Sequence, residues 1–204
     1  MGFYEDRVVP RLVDLCCGAK NMNGERQRVC AGLHGRVVEI GFGSGRNVPF
    51  YPETVKSVSA VEPADLGWHM AAGRVAAATV PVERAGLDGQ ALPFADDSFD
   101  SALSTWTLCT IPDVDAALAE VRRVLVPGGT FHFVEHGLAP DPGVRTWQHR
   151  LDRLEQAVAG GCHLNRDIPG LIEAAGFEIR DIDRYYQRGP KPWVAFNLGT
   201  AVAP

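Results

Sequence analysis

The feature that most constrains this chain is the run VVEIGFGSGRN, Val37 to Asn47, in which a short β-branched strand opens directly into three alternate glycines, Gly41, Gly43 and Gly45. A turn of this kind lets backbone approach a ligand closely, because glycine takes up positive φ without a steric penalty. The spacing narrows the choice of ligand. In a dinucleotide fingerprint the third glycine lies three residues after the second, and a pyrophosphate sits on the helix N-terminus. Here it lies two after, and Arg46 stands where that glycine would be. The pattern E-x-G-x-G-x-G from Glu39 to Gly45 therefore argues against a pyrophosphate. A second acid, Glu62, closes the next strand at the distance suited to gripping both hydroxyls of a ribose. A third element, LDGQALPF from Leu87 to Phe94, offers Asp88 to an exocyclic adenine amine and the N–H of Gly89 or Gln90 to a ring nitrogen. Singly, each has an ordinary explanation: glycines for a turn, a solvated acid at a strand end, an Asp capping a surface turn. In conjunction they point to a nucleoside-containing ligand.

The chain around this loop alternates in the manner of an α/β sheet. Strands are expected at Arg36 to Ile40, Val55 to Val61, Val80 to Arg84, Phe99 to Ser104 and Thr130 to Glu135. Helices are expected from near Gly45, over Asp65 to Thr79, and over Asp115 to Val126, where Leu118, Val121 and Leu125 share a face and Pro127-Gly128-Gly129 stops the helix. A further helix carries Leu151, Leu154 and Val158 at helical spacing and ends at Gly160-Gly161, and another runs from about Asp167 to Ala175 with Gly176 as its cap. Two last strands, Phe177 to Tyr186 and Trp193 to Val202, flank Gly189-Pro190-Lys191-Pro192. The expectation is one domain of 204 residues: a doubly wound, mostly parallel, seven-stranded Rossmann-like sheet with an antiparallel C-terminal hairpin. Residues 1–30 are expected to be helical. The amphipathic stretch Tyr4 to Leu15 and the connection Gly18 to Glu25 would either fold over the bound ligand as a lid, since a closed site must exclude bulk water, or form a helix merely packed on the sheet.

Composition removes several classes. Twenty Lys+Arg against 25 Asp+Glu give a formal charge of -5, without the broad basic field that nucleic-acid binding needs. The apolar stretch Val8 to Leu15 is broken by Pro10, Arg11 and Asp14, too short and too charged for a signal peptide or an integral membrane segment. Five cysteines at 16, 17, 30, 109 and 162 show neither C-x-x-C pairing nor a zinc-like Cys/His spacing, so no disulfide framework and no metal site is expected, and a reducing cytoplasm is the expected compartment. Cys109 and Cys162 read as small buried apolar residues, with no sequence-adjacent base to make a reactive thiolate.

Four motifs together, VVEIGFGSGRN, SAVEP (Ser59 to Pro63), LDGQALPFADDSFD and EVRRVLVPGGTFHFVEHG (Glu120 to Gly137), resemble the class I S-adenosylmethionine-dependent methyltransferases over nearly the whole chain. Within that class the sequence is similar to the ubiquinone/menaquinone-biosynthesis type. It looks closer still to vertebrate methyltransferase-like proteins of alkyl thiol S-methylation, through LCTI (Leu108 to Ile111), Glu135-His136 and GCHLNR (Gly161 to Arg166). It lacks the N-terminal anchoring segment of those vertebrate proteins, so no membrane or lipid-droplet role is expected.

The resemblance implies S-adenosyl-L-methionine as cofactor, held by Glu39, Gly41, Phe42, Gly43, Gly45, Asn47, Glu62, Pro63, Asp88, Gly89, Gln90, Thr105 and Trp106. It implies a small, apolar acceptor, a thiol or a phenol or quinol. Open α/β sheets bind ligands at the carboxyl ends of their strands, which makes Glu135 and His136 the candidate floor of the acceptor pocket, with His136 as proton acceptor or nucleophile-orienting group. Two other readings share the sheet. A nicotinamide-dependent oxidoreductase is disfavoured by the glycine spacing and the absence of a catalytic Tyr/Lys pattern. A non-catalytic S-adenosylmethionine-binding module differs from an enzyme only in whether demethylated cofactor forms when an acceptor is supplied.

Overall fold

The computed structural model describes Arg11, Asp14, Gly18 and residues 22–204. The element order is α1 (Asn23–Cys30), β1 (Gly35–Ile40), a 3-10 turn (Val48–Phe50), β2 (Val55–Val61), α2 (Asp65–Ala76), β3 (Val82–Gly86), β4 (Phe99–Thr105), α3 (Val114–Val124), β5 (Leu125–His136), α4 (Pro142–Val158), α5 (Ile168–Ala174), β6 (Glu178–Tyr186), a second 3-10 turn (Lys191–Trp193) and β7 (Ala195–Val202). The seven strands form one sheet in the order β3-β2-β1-β4-β5-β7-β6. The first five are parallel, and β7 inserts antiparallel between β5 and β6. This is the expected Rossmann-like architecture.

Alternation along each strand sends side chains to two cores. On one face Phe131 and Phe133 of β5 pack with Leu118 and Val121 of α3 and with Ile168 and Ile172 of α5. On the other, Val37, Leu103 and Val134 pack with Val29 and Cys30 of α1 and with Leu33. The strand order reverses beside β1, between β1 and β4, so the carboxyl ends of these two strands border the crevice where such sheets take ligands.

Four expectations need correction. No α-helix follows the glycine loop: Gly41, Gly43 and Gly45 all lie at positive φ and Pro49 and Pro52 follow closely, so the segment achieves only the 3-10 turn. The third strand starts at Val82, after Pro81. β5 begins at Leu125, before Pro127-Gly128-Gly129. Phe99 pairs with Leu125 and Ser101 with Thr130, so Val126 to Gly129 make a bulge within the strand. In α4 the apolar stripe points the wrong way, with Leu154 62% and Val158 49% exposed while Gln148 and Asp152 are buried. The helix is anchored by polar groups instead. Gln148 accepts from Ala139 N–H at 2.9 Å and donates to the Gly137 and Pro192 carbonyls at 3.0 and 3.1 Å, and Asp152 accepts from Leu164 N–H at 2.8 Å.

Tyr4 to Leu15 and the first part of the Gly18 to Glu25 connection lie outside the described residues, apart from Arg11, Asp14 and Gly18. Asp14 is docked on the glycine loop. Its carboxylate accepts from Arg46 Nε at 2.8 Å, from Arg46 Nη2 at 2.7 Å and from the Ser44 hydroxyl, and the guanidinium holds its carboxyl below the usual range.

Candidate active site

At the end of β1, Glu39 is fully buried. Asn47 Nδ2 donates to one carboxylate oxygen at 2.9 Å and the Tyr51 hydroxyl donates to the other. The same Asn47 amide donates to Thr105 Oγ1 at 3.0 Å, while its carbonyl accepts from Arg26 Nη1 at 2.5 Å. Glu39, Asn47 and Thr105 thus tie the ends of β1 and β4 together in one polar network. Burial pushes the Glu39 carboxyl up to about 7, against the pull of the Tyr51 and Asn47 hydrogen bonds and the Arg26 charge.

The glycines do different work. A Cβ at Gly41 would stand 2.1 Å from Thr107 Oγ1, and one at Gly45 would press on Ala71 and the Phe42 ring at 3.1 to 3.2 Å. These two glycines allow close packing. A Cβ at Gly43 would meet, among the described residues, only the Gly41 carbonyl oxygen at 3.9 Å. Gly43 therefore faces open space, the cradle expected for a ligand that lies along backbone. Its N–H donates to Glu62 Oε2 at 2.6 Å, and Ala64 N–H donates to Oε1 at 2.8 Å. Gly67 is close to the same carboxylate, where a Cβ would come within 3.3 Å of Oε1. Burial raises the Glu62 carboxyl, and the two backbone N–H groups oppose this.

Pro63 and Asp88 are exposed. Asp88 Oδ1 accepts from Gln90 N–H at 2.9 Å and from Gln90 Nε2 at 3.0 Å, which lowers its pKa, and Gln90 Oε1 accepts from Asp113 N–H at 2.9 Å. Gly89 packs against Ile40, where a Cβ would come to 3.0 Å. Asp88 thus has the Asx-turn geometry of a turn cap, and both bonds fall on one oxygen.

Across the crevice, Trp106 takes φ +52, an unusual conformation for a large aromatic. Its N–H donates to the Val134 carbonyl at 2.9 Å, its ring lies 4.7 Å from the Arg26 guanidinium and meets Phe196 edge-on at 5.9 Å, and its Nε1 is buried without a hydrogen-bond partner among the described residues. Strained backbone of this kind clusters at ligand sites, and an orphaned buried donor needs a partner. The open cradle at Gly43 and the waiting donor at Trp106 are the features that fit a nucleoside-bearing cofactor.

Glu135 and His136 do not sit side by side. Strand alternation sends Glu135 to the face of Phe131 and Phe133, and His136 to the face of Val134. Glu135 is fully buried and pushed up to about 7 by that burial. Its Oε1 accepts from Ser104 Oγ at 2.7 Å and Thr107 N–H at 3.1 Å, while Oε2 has no partner among the described residues. It anchors the turn after β4. His136 has both ring nitrogens engaged, Nε2 with the Pro192 carbonyl at 3.3 Å and Nδ1 with Cys162 Sγ at 3.6 Å, so it offers no open nitrogen to an acceptor. Burial works against its charge, but the Cys162 sulfur, the Pro192 carbonyl and the Glu155 charge together raise its pKa. Two further histidines are ordinary: His132 is a buried strand histidine driven down to about 4 by burial, and the half-exposed His163 faces Asp152 at 3.6 Å.

Cys109 and Cys162 are more than apolar filler. The ligand atoms of Cys109, His136 and Cys162 lie within 4.8 Å of one another, and both cysteines are reduced. A hydrogen bond with Cys109 draws the Cys162 thiol down to about 6, burial opposes this, and His136 assists. No local spacing announces this group, because its members come from three separate connections. The available signal was that LCTI, Glu135-His136 and GCHLNR each contribute one of them.

A methyltransferase-domain family profile matches residues 38–133. The thiol S-methyltransferase TMT1B of Rattus norvegicus is 32% identical over 175 residues, covering 81% of this chain and 70% of the relative. A crystal structure of an S-adenosylmethionine-dependent methyltransferase from Thermotoga maritima, 23% identical, superposes with TM-score 0.71 over 98% of both chains. The phosphoethanolamine N-methyltransferase 2 of Haemonchus contortus, solved with S-adenosylhomocysteine and 16% identical, superposes with TM-score 0.70 over 98% of this chain and 60% of its own. The sequence likeness and the crevice that pairs an alternate-glycine loop with a buried acid at the end of the next strand lead to one family: this chain belongs to the class I S-adenosylmethionine-dependent methyltransferases.

Proposed function

We propose that this methyltransferase acts on a small apolar thiol, giving a methyl thioether and S-adenosylhomocysteine. The observation that carries the choice of acceptor is the likeness to a thiol S-methyltransferase, which covers 81% of the chain and so extends beyond the domain at 38–133. The aromatic wall of Trp106, Phe196 and Tyr185 suits an apolar acceptor. Among the described residues no helix is long and apolar enough to cross a membrane. A reducing cytoplasm would keep the cysteines as thiols.

S-adenosylmethionine, when bound, supplies an electrophilic methyl group. In this reading Glu62 receives the ribose hydroxyls, the second carboxylate oxygen of Asp88 and the N–H of Gly89 meet the adenine edge while the Gln90 N–H holds Asp88 in place, and the Gly41 to Gly45 backbone follows the ligand. Trp106 Nε1 donates to its methionine end, with the Glu39–Asn47–Thr105 network fixing the shape around it. The transfer is an in-line displacement, so holding the acceptor sulfur opposite the breaking bond and excluding water supply most of the rate. A thiol with pKa near 8.5 is already partly ionised at neutral pH, which lowers the demand for a general base. His136 is a positioning group here. The N-terminal segment, clamped to the loop through Asp14, Ser44 and Arg46, would serve as the lid. Protection of that segment from proteolysis on adding cofactor would support this, and unchanged cleavage would remove it.

The test is a panel of small alkyl and aryl thiols, phenols, quinols and amines, scored by S-adenosylhomocysteine formation. Turnover is expected with thiols foremost. Preference for phenols or quinols would overturn the thiol assignment, and no product with any acceptor would favour a binding module.

A further inference from the structure

Three groups that ligate soft metals meet at the carboxyl ends of β4 and β5. Cys109 lies in the turn after β4, His136 ends β5, and Cys162 follows α4; their ligand atoms all fall within 4.8 Å of one another. A tetrahedral zinc ion, with bonds of about 2.3 Å to sulfur and about 2.0–2.1 Å to nitrogen, holds its ligand atoms roughly 3.5–3.8 Å apart. Cys162 Sγ and His136 Nδ1 already stand 3.6 Å apart. No separation in the set exceeds 4.8 Å, so closing on an ion asks each atom to move by on the order of 1 Å.

A second, independent observation is how the histidine is held. A zinc-bound imidazole characteristically donates its other ring N–H to a carbonyl or carboxylate, which fixes the tautomer and aims the lone pair at the metal. His136 Nε2 faces the Pro192 carbonyl at 3.3 Å, an acceptor only, so the proton belongs on Nε2 and the Nδ1 lone pair points toward Cys162. That carbonyl is fixed in turn by the buried Gln148, whose Nε2 donates to it at 3.1 Å. The unexpected polar inner face of α4 thereby acquires a purpose. The cysteine turns are braced too: Glu135 accepts from Thr107 N–H at the start of the Cys109 turn, and His163 N–H donates to the Cys109 carbonyl at 2.8 Å, stapling the Cys162 turn to it. Two thiolates cancel the charge of a zinc ion, so filling the site buries no net charge.

We propose that Cys109, His136 and Cys162 bind one zinc ion whose fourth position takes the acceptor thiol as a thiolate. Two sulfurs and one imidazole are a ligand set used where zinc keeps an open coordination position. The proposal rests on the thiol reading above and deepens it. On binding, the acceptor R–SH gives its proton to solvent and replaces a bound water. Its sulfur lone pair then forms the new S–C bond to the methyl group, and the old C–S bond breaks with its electron pair left on the donor's sulfur, giving S-adenosylhomocysteine. The neutral thioether is a weak ligand and leaves.

The experiment measures metal content and spectrum in the whole chain. Protein purified without chelator should carry about one zinc per chain by elemental analysis. After stripping, a Co2+ titration should produce sulfur-to-cobalt charge-transfer absorption in the near ultraviolet and the visible bands of four-coordinate cobalt. Those visible bands should shift when a small alkyl thiol is added with S-adenosylhomocysteine present. Cys162→Ser and His136→Gln should each weaken Co2+ binding by more than about 100-fold, beyond the loss of an outer-shell partner, with S-adenosylhomocysteine affinity retained in calorimetry. No stoichiometric zinc and no charge-transfer band in the wild type overturns the proposal, and that result needs no variant to fold. Unchanged Co2+ affinity in Cys162→Ser overturns the ligand assignment, and bands indifferent to thiol overturn the open position. Full thiol turnover by stripped protein would remove the zinc from the reaction and leave the thiol reading standing. Zinc-loaded, thiol-responsive protein that methylates only phenols would sink the thiol reading and support the metal site.

Discussion

On the β1–β2 side of the crevice the polar groups come from one continuous loop and the acid that ends the next strand, and they present mostly backbone: Gly43 N–H and Ala64 N–H both run to the Glu62 carboxylate. On the β4–β5 side they come from side chains on the turn after β4, the end of β5 and the turn after α4, and Cys162 and His136, 3.6 Å apart, are separated by 26 positions. The difference teaches how each half tolerates change. A backbone site is disturbed by adding atoms, whereas a side-chain site is disturbed by removing them. Gly41 joins the halves, since its Cα hydrogens face the Thr107 side chain of the acceptor-side turn.

The largest effect is expected from adding atoms at Gly43. Gly43→Val forces a β-branched residue to φ +56 and fills the open cradle. Strain of about 1–3 kcal/mol is carried by the free and the bound protein alike and lowers stability, while the lost ligand space should weaken S-adenosylhomocysteine binding by roughly 4 kcal/mol, near a thousandfold. Gly41→Ala should do the reverse. Its Cβ lands 2.1 Å from Thr107 Oγ1, so the fold loses stability first. Calorimetry and melting of both variants decide the matter, and a normal affinity in Gly43→Val would break the backbone-site description.

Each half also buries a carboxyl, and here the two are alike. Glu39 and Glu135 are both fully buried and both pushed up to about 7. A carboxyl whose folded pKa exceeds its unfolded value holds a proton in the native state that the unfolded chain has released. Its stabilisation is complete below the unfolded pKa near 4.3 and is lost as pH rises toward 7. Each group should contribute a fall of roughly 4 kcal/mol across that window and nothing further above it. Glu39→Gln and Glu135→Gln should each flatten the dependence of melting temperature on pH between about 4.5 and 7. A ramp of wild-type height in either variant would show that its carboxyl is ionised throughout.

Glu62 and Asp88 sharpen the comparison within the cofactor side. Glu62 is buried and accepts two backbone N–H groups; Asp88 is exposed and occupied by Gln90. Glu62→Ala should cost about 1.5–3 kcal/mol of cofactor affinity, the range for hydrogen bonds to a charged group. Asp88→Ala should cost less, about 0.5–1.5 kcal/mol, because backbone contacts to the base remain. The reverse order in calorimetry would move the ribose assignment away from Glu62.

The same contrast explains what could be read in advance. Glycine spacing, strand periodicity and the acids at strand ends are local, so β1 and the end of β2 were legible in VVEIGFGSGRN and SAVEP, and the doubly wound, mostly parallel sheet in the alternation around them. The short 3-10 turn in place of a helix was not, because positive φ at three glycines became evident only in the folded loop. The outward stripe of α4 was misread since helical spacing tells which residues share a face and not which face is buried. Cys109, His136 and Cys162 were invisible as a group for a related reason: tertiary approach across separate loops leaves no spacing in the chain.

The smallest effect is expected at Trp106, which lies between the two halves. Its Nε1 is a buried donor with no partner among the described residues, and its ring is held by Arg26 and Phe196. Trp106→Phe keeps an aromatic face for both neighbours and deletes the N–H. Removing an unsatisfied buried donor relieves a desolvation cost, so the ligand-free protein should be no less stable, unlike the loss that follows when a satisfied group is deleted. If Nε1 completes its hydrogen bond on a bound cofactor, affinity should fall by about 0.5–1.5 kcal/mol, some three- to tenfold. Melting of the free protein and calorimetry with S-adenosylhomocysteine therefore carry opposite signs for this one substitution. Equal affinity together with raised stability would mean that the donor meets no ligand, and the strained φ of Trp106 would then serve the aromatic wall of the acceptor side alone.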